Sequence, residues 1–205
     1  MIPYFVMALI GYLLGCLHPS YFFAKRVLNT DIREHGSQNC GTSNATIVLG
    51  WKYGVYTGLI DILKGTLTVL IARWLFGSEQ QALLYFSMLA VVLGHMYPFY
   101  LGFKGGKGLA TLMGACIALN FYLTLVMFVL LVLVTVLSDY IVIGTAAVCI
   151  VFAGYTCYRF GISPVSAIAV IIAVWVMVKH RVNYRRILHK TEIRFSSTVK
   201  GRKKD

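Results

Sequence analysis

Three short stretches of this 205-residue chain gather groups that bind anions. The first is Gly36-Ser37-Gln38-Asn39-Cys40-Gly41-Thr42-Ser43-Asn44. Its glycines let backbone N–H groups converge on a ligand, and its hydroxyls and amides add donors without net charge. An ordinary turn-rich loop has the same composition. The second, Gly102-Phe103-Lys104-Gly105-Gly106-Lys107-Gly108, runs directly into an apolar segment. A helix starting there sets unpaired N–H groups and a positive dipole end beside two ammonium groups, which suits an oxyanion such as phosphate. A structural turn bearing two lysines is the plainer reading. It is not a nucleotide P-loop, because Leu101 stands where that motif needs its first glycine and Gly108 where it needs Ser or Thr. The third stretch is His180-Arg181-Val182-Asn183-Tyr184-Arg185-Arg186, with Glu192 further on. On a continuing helix His180 and Asn183 share a face, while the arginines lie on other faces and serve equally as a basic membrane anchor.

Other polar residues lie inside apolar runs. Asp61 and Lys64, three apart, read as a structural ion pair, with each other or with the glycine–lysine turn, since isolated charges at membrane depth are costly. His95 either satisfies a hydrogen bond or lines the site, and His18 reads as a polar contact rather than a catalyst. Cys16, Cys40, Cys116, Cys149 and Cys157 form no C-x-x-C pair and read as small hydrophobic fillers, so no metal site and no cofactor is expected. No histidine is followed five positions later by aspartate, and no G-x-S-x-G elbow exists. A strong general base supplied by the protein is therefore not evident.

These groups must be positioned by membrane helices. The chain is 59% hydrophobic and 13% charged, against about 25% charged for soluble domains. Apolar runs cover 2–24, 54–76, 82–101, 109–137, 140–158 and 162–178, most near the ~20 residues of a span. As one helix, 109–137 would be about 43 Å long against a hydrocarbon core of about 30 Å. A short helix over 109–119, a break near Asn120 and a span over 121–137 resolve the excess, giving seven segments.

Net charge is +12, yet the basic residues sit between the apolar runs, so they read as topology signals and not as a nucleic-acid surface. From Lys179 onward the chain carries ten Lys or Arg, which places that end inside. Counting back through seven segments brings Lys25, Arg26, Arg33, Lys52, Lys104 and Lys107 to the same side and leaves the N-terminus outside. The start of the chain lacks a basic n-region and a clear cleavage site, so it reads as the first span. Residues 1–190 are expected to form one seven-helix membrane domain and 191–205 a basic cytoplasmic tail able to touch anionic lipid.

Taken in order, these segments resemble the bacterial acyl-phosphate:glycerol-3-phosphate acyltransferase (PlsY) family. The stretch 36–44 is similar to that family's G-S-G-N-x-G-A-T-N, 94–108 to G-H-x-F-P-x-F-L-x-F-K-G-G-K-G, 180–188 to H-R-x-N-I-x-R-L-L, and 61–65 to D-x-x-K-G. The resemblance implies an all-α fold of seven transmembrane helices in the inner (plasma) membrane with a cytoplasmic active face. It implies transfer of a fatty acyl group from acyl phosphate to the 1-hydroxyl of glycerol 3-phosphate, giving lysophosphatidic acid, with a substrate phosphate taking the hydroxyl proton. It assigns catalysis to Lys104, His180, Asn183 and Ser37, and substrate binding to Gly36, Asn39, Gly41, Asn44, Gly105, Gly106, Lys107 and Gly108. A monomer among membrane lipids, without nucleic acid, is expected.

This chain departs from the family pattern in several places. Ile47 stands for a phosphate-binding Arg, Asp139 for a cation, Val142 for a pocket serine, Gln38 for a glycine, and Lys190 for a glycine of the third motif. An aliphatic side chain cannot hold a phosphate dianion. The acceptor is therefore either glycerol 3-phosphate held more weakly or a less anionic alcohol. The competing reading is a non-catalytic lipid- or phosphate-binding homologue.

Overall fold

The computed structural model describes residues 1–199, so the basic stretch 200–205 of the expected tail lies outside the described residues. Among the described residues the regular elements are all helical: α1 (Ile2–Gly15), α2 (Pro19–Leu28), α3 (Thr42–Leu49), α4 (Trp51–Phe76), α5 (Gln81–Met96), α6 (Leu109–Leu119), α7 (Phe121–Ser138), α8 (Ile141–Phe160), α9 (Pro164–Lys179), α10 (Arg181–Leu188) and α11 (Phe195–Val199). Five segments are long and apolar enough to cross a membrane: Ile2–Leu28, Trp51–Phe76, Gln81–Leu101, Phe121–Ser138 and Ile141–Phe160. The pair α9 and α10, bent by 46°, supplies a sixth when taken together. Helix α6, at 11 residues, is too short to span alone. The break expected near Asn120 is present: α6 ends at Leu119, Asn120 is extended at φ −156°, and α7 follows.

The chain divides into two compact units, Met1–Phe121 and Tyr122–Asp205. In the first, α1 packs on α5 and α4 on α6 through small residues. A Cβ on Gly15 would collide with the Val91 carbonyl, and one on Gly65 or Gly114 with the backbone of the facing helix. Close backbone approach of this kind is how helices associate where lipid removes the hydrophobic driving force. In the second unit α8 packs on α9, and α7 keeps Tyr122, Leu125, Val126, Phe128 and Leu137 exposed. Such a surface suits hydrocarbon and not water.

One break inside the first span organises the first unit. The proline ring of Pro19 disfavours helical backbone at His18, which sits at φ −118° and ψ 87°. The α1–α2 helix therefore unwinds over residues 16–18 and frees backbone carbonyls at membrane depth. Side chains from elsewhere satisfy them. The Lys64 ammonium donates to the carbonyls of Gly15 (3.0 Å) and Leu17 (2.6 Å), and the Tyr100 hydroxyl donates to that of Cys16 (2.8 Å). Irregular backbone in a membrane persists only where protein supplies partners in this way.

Candidate active site

Residues 31–44 fold around one amide. Asn44, in the first turn of α3 and 1% exposed, donates through Nδ2 to the carbonyls of Ile32, His35 and Asn39. Its Oδ1 accepts the Ser37 N–H at 2.7 Å. Four backbone groups are thus held by one side chain, which fixes the curve of the glycine-rich loop. Gly36 has φ +59°, and a Cβ there would meet Asn44 Oδ1, so only glycine fits. Asn44 is committed to the loop itself, so its part is to shape the segment that presents Ser37, Asn39 and Gly41. Cys40 is fully buried beneath, and burial pushes its thiol up to about 12, which makes it an inert filler.

Arg33 joins this loop to the glycine–lysine turn. Its guanidinium grips Asp31 through Nε (3.0 Å to Oδ1) and Nη2 (2.7 Å to Oδ2). Its Nη1 donates to the carbonyls of Leu101 (2.6 Å) and Lys104 (3.3 Å). The guanidinium holds the Asp31 carboxyl below its ordinary value, and that carboxylate raises the Arg33 value in turn. By charge alone Arg33 is only a topology signal. The signal that could have revealed more is the Asp31-x-Arg33 spacing beside the glycine-rich loop.

The turn itself is built by chain geometry. Pro98 ends α5, residues Phe99–Leu101 form a 3-10 turn, and Gly102 and Phe103 take positive φ. Gly108, at φ +91°, opens α6 in a backbone conformation that favours glycine. Gly105 and Gly106 pack against histidines: a Cβ on Gly106 would overlap the His95 ring, and one on Gly105 would meet the His95 carbonyl and His18 Nε2. Their N–H groups donate to the carbonyls of Met96 (3.2 Å) and His95 (2.9 Å). The family resemblance implies those two N–H groups for phosphate, whereas here they close the turn. The first-turn N–H groups of α6 have no intrahelical acceptor by construction. Lys104 is exposed, Lys107 half-buried and Gly108 buried.

Asp61 and Lys64, expected to pair, do so at 2.8 Å with both side chains at most 2% exposed. Lys64 Nζ also lies 2.8 Å from His95 Nδ1, so His95 belongs to this ion pair and to the floor of the turn at once. A buried ion pair is a structural device, since removing one partner leaves an uncompensated charge.

The remaining site residues lie in the second unit. His180, 6% exposed, caps α9 with its Nδ1 at 2.8 Å from the Val176 carbonyl. A carbonyl only accepts, so Nδ1 carries the proton. Asn183, also buried, donates through Nδ2 to Glu192 Oε1 at 2.6 Å. Val142 is buried in the first turn of α8, and Asp139 is held by the C-terminal segment. In the first unit Ile47 is half-buried on α3.

Comparison with known proteins follows the same lines. A family model described as glycerol-3-phosphate acyltransferase matches residues 5–190. Glycerol-3-phosphate acyltransferase 1 of Oceanobacillus iheyensis is 38% identical over 200 residues, covering 95% of this chain and 96% of that protein. The glycerol-3-phosphate acyltransferase of Clostridioides difficile is 36% identical over 202 residues, covering 92% and 94%. Among solved structures, PlsY (YgiH), an integral membrane glycerol 3-phosphate acyltransferase, superposes in its glycerol 3-phosphate form with a TM-score of 0.87 at 34% identity, covering 96% of this chain and 97% of that one. Its lysophosphatidic acid form gives 0.83 at 32% identity, covering 97% and 99%.

Proposed function

Because the chain belongs to the glycerol-3-phosphate acyltransferase family, we propose that it is a membrane enzyme of phospholipid synthesis that acylates glycerol 3-phosphate on the glycine–lysine turn. The observation that carries this reading is the turn at 102–108. It brings Lys104, Lys107 and the N-terminus of α6 into one short segment, and Arg33 ties it to the loop presenting Ser37 and Asn39. Both substrates of the reaction carry phosphate, and a cationic turn at a helix N-terminus is suited to that group.

In the proposed reaction the 1-hydroxyl oxygen of glycerol 3-phosphate attacks the acyl carbonyl of acyl phosphate. The carbonyl carbon–oxygen bond to phosphate breaks, and inorganic phosphate leaves. The hydroxyl proton passes to a substrate phosphate, so no strong protein base is needed. Lys104 neutralises phosphate charge, Ser37 and Asn39 donate to it, and Gly105 and Gly106 give close approach. His180 and Asn183, held by the Val176 carbonyl and by Glu192, orient the substrate and stabilise the developing oxyanion. A preorganised donor of this sort is worth about 3–4 kcal/mol in a barrier. The finer topology is a proposal of the same kind: seven helices counting α6, N-terminus outside, and the site on the cytoplasmic face of the inner membrane. The one-sided charge distribution supports it. A monomer in a single membrane domain is the simplest working form.

The relatives are named acyltransferases, which favours an enzyme over a non-catalytic homologue. Ile47 keeps the acceptor question open to experiment. Purified protein in lipid should convert acyl phosphate and glycerol 3-phosphate to lysophosphatidic acid. Acylation of other alcohols with none of glycerol 3-phosphate would move the acceptor, and no product with any donor or acceptor would remove the enzymatic reading.

A further inference from the structure

His18 is fully buried, and both its ring nitrogens lack a hydrogen-bond partner. The Cys40 backbone approaches the ring without a hydrogen bond forming. The neighbouring ammonium and phenol are already engaged. Lys64 serves Asp61, His95 and two carbonyls, and Tyr100 serves Cys16. An imidazole sealed from water with nothing to bond weakens a fold relative to an apolar side chain of the same shape. Its presence therefore needs a reason other than stability.

Its position supplies one. The ring lies 5.0 Å from that of His95, and its Nε2 would sit 3.0 Å from a Cβ on Gly105. The same Cβ would collide with the His95 carbonyl, so this carbonyl and His18 Nε2 flank one point beneath the turn. That carbonyl now accepts the Gly106 N–H at 2.9 Å. If the Gly106 N–H turns outward to hold an oxyanion, the carbonyl is left buried without a donor, a loss comparable to a whole hydrogen bond. His18, flanking the same point, has donor capacity to spare.

We propose that His18 is a positioning residue whose imidazole N–H takes over the His95 carbonyl when the Gly106 N–H swings out to bind substrate phosphate. The idea rests on the reading of the turn as the phosphate site and adds the means by which its closed N–H groups become available. His18 does not touch substrate. It lowers the free energy of the opened turn and so acts on phosphate affinity.

The test compares His18→Phe, which keeps ring shape and removes the donor, with His18→Gln, which restores an N–H. His18→Phe should raise KM for glycerol 3-phosphate about tenfold, the size of one hydrogen bond, with kcat changed far less. Its thermal midpoint should stay level or rise, because no hydrogen bond is lost in the resting protein. His18→Gln should recover most of the KM. An unchanged KM in folded His18→Phe overturns the proposal, as does a fall in stability with kcat and KM affected alike. Should His18→Phe not fold, the imidazole ¹⁵N resonances of His18 in wild-type protein decide the matter: they should shift on saturation with glycerol 3-phosphate, and no shift overturns the proposal. Lys104→Ala run in parallel separates the two ideas. Full turnover there removes the phosphate site itself, whereas an inactive Lys104→Ala with an unaffected His18→Phe removes only the role of His18.

Discussion

Each carboxylate oxygen of Asp139 accepts one hydrogen bond from Ser196, from its N–H at 2.7 Å and from its hydroxyl at 2.8 Å. The Asp139 carbonyl also accepts the Phe195 N–H at 2.9 Å. The acid that stands where the family pattern has a cation is thus used to cap the first turn of α11 and hold the C-terminal segment. Asp139→Ala should release that segment at a cost of about 1–2 kcal/mol. Limited proteolysis in detergent should then show faster cleavage within 190–199, and unchanged cleavage would contradict the latch.

Asp61 and Lys64 should behave as a unit. Replacing either one by an apolar residue leaves the other charged and buried, and should destabilise the protein by about 3–5 kcal/mol. The double replacement Asp61→Leu with Lys64→Met should be less harmful than the sum of the single changes. Thermal unfolding in one detergent across the four proteins measures this, and simple additivity would count against a coupled pair.

Asn44→Ala removes the donors and acceptor that hold four backbone groups. The expected loss is on the order of 3 kcal/mol, and acyl transfer should fall steeply although Asn44 itself is turned into the loop. Gly36→Ala should act in the same direction, because its Cβ meets Asn44 Oδ1. Turnover near wild type in Asn44→Ala would show that the loop does not shape the site.

The Asp31–Arg33 bridge has a defined pH window. Arg33 lowers the folded-state value of Asp31 below the model-peptide 3.8, so the bridge's contribution is present above that value and lost as pH falls through the lowered one. Stability of wild type and Arg33→Ala should therefore run parallel from about pH 8 to pH 5 and converge only under stronger acid. Convergence already near neutral pH would point to a different titrating group.

Much of the architecture is legible from hydropathy. The run at 109–137 is too long for one span, and Asn120 is its polar interruption, so the break between α6 and α7 follows from the sequence. The break between α1 and α2 is hidden inside a continuous apolar run, with only His18-Pro19 to mark it. At the site, residue types identified the loops but not the roles within them. Asn44 looked like a ligand and is a clamp on the backbone, because the carbonyls it serves come together only after the loop has folded. Arg33 looked like a topology charge and joins the two motifs, since its partners Leu101 and Lys104 are distant in sequence.

The most direct test is Lys104→Ala in purified protein reconstituted in lipid and supplied with acyl phosphate and glycerol 3-phosphate. Lysophosphatidic acid should form with the wild-type protein and fall to background with the variant, at unchanged thermal stability because Lys104 is exposed. Full turnover by Lys104→Ala would contradict the placement of the phosphate site on the glycine–lysine turn.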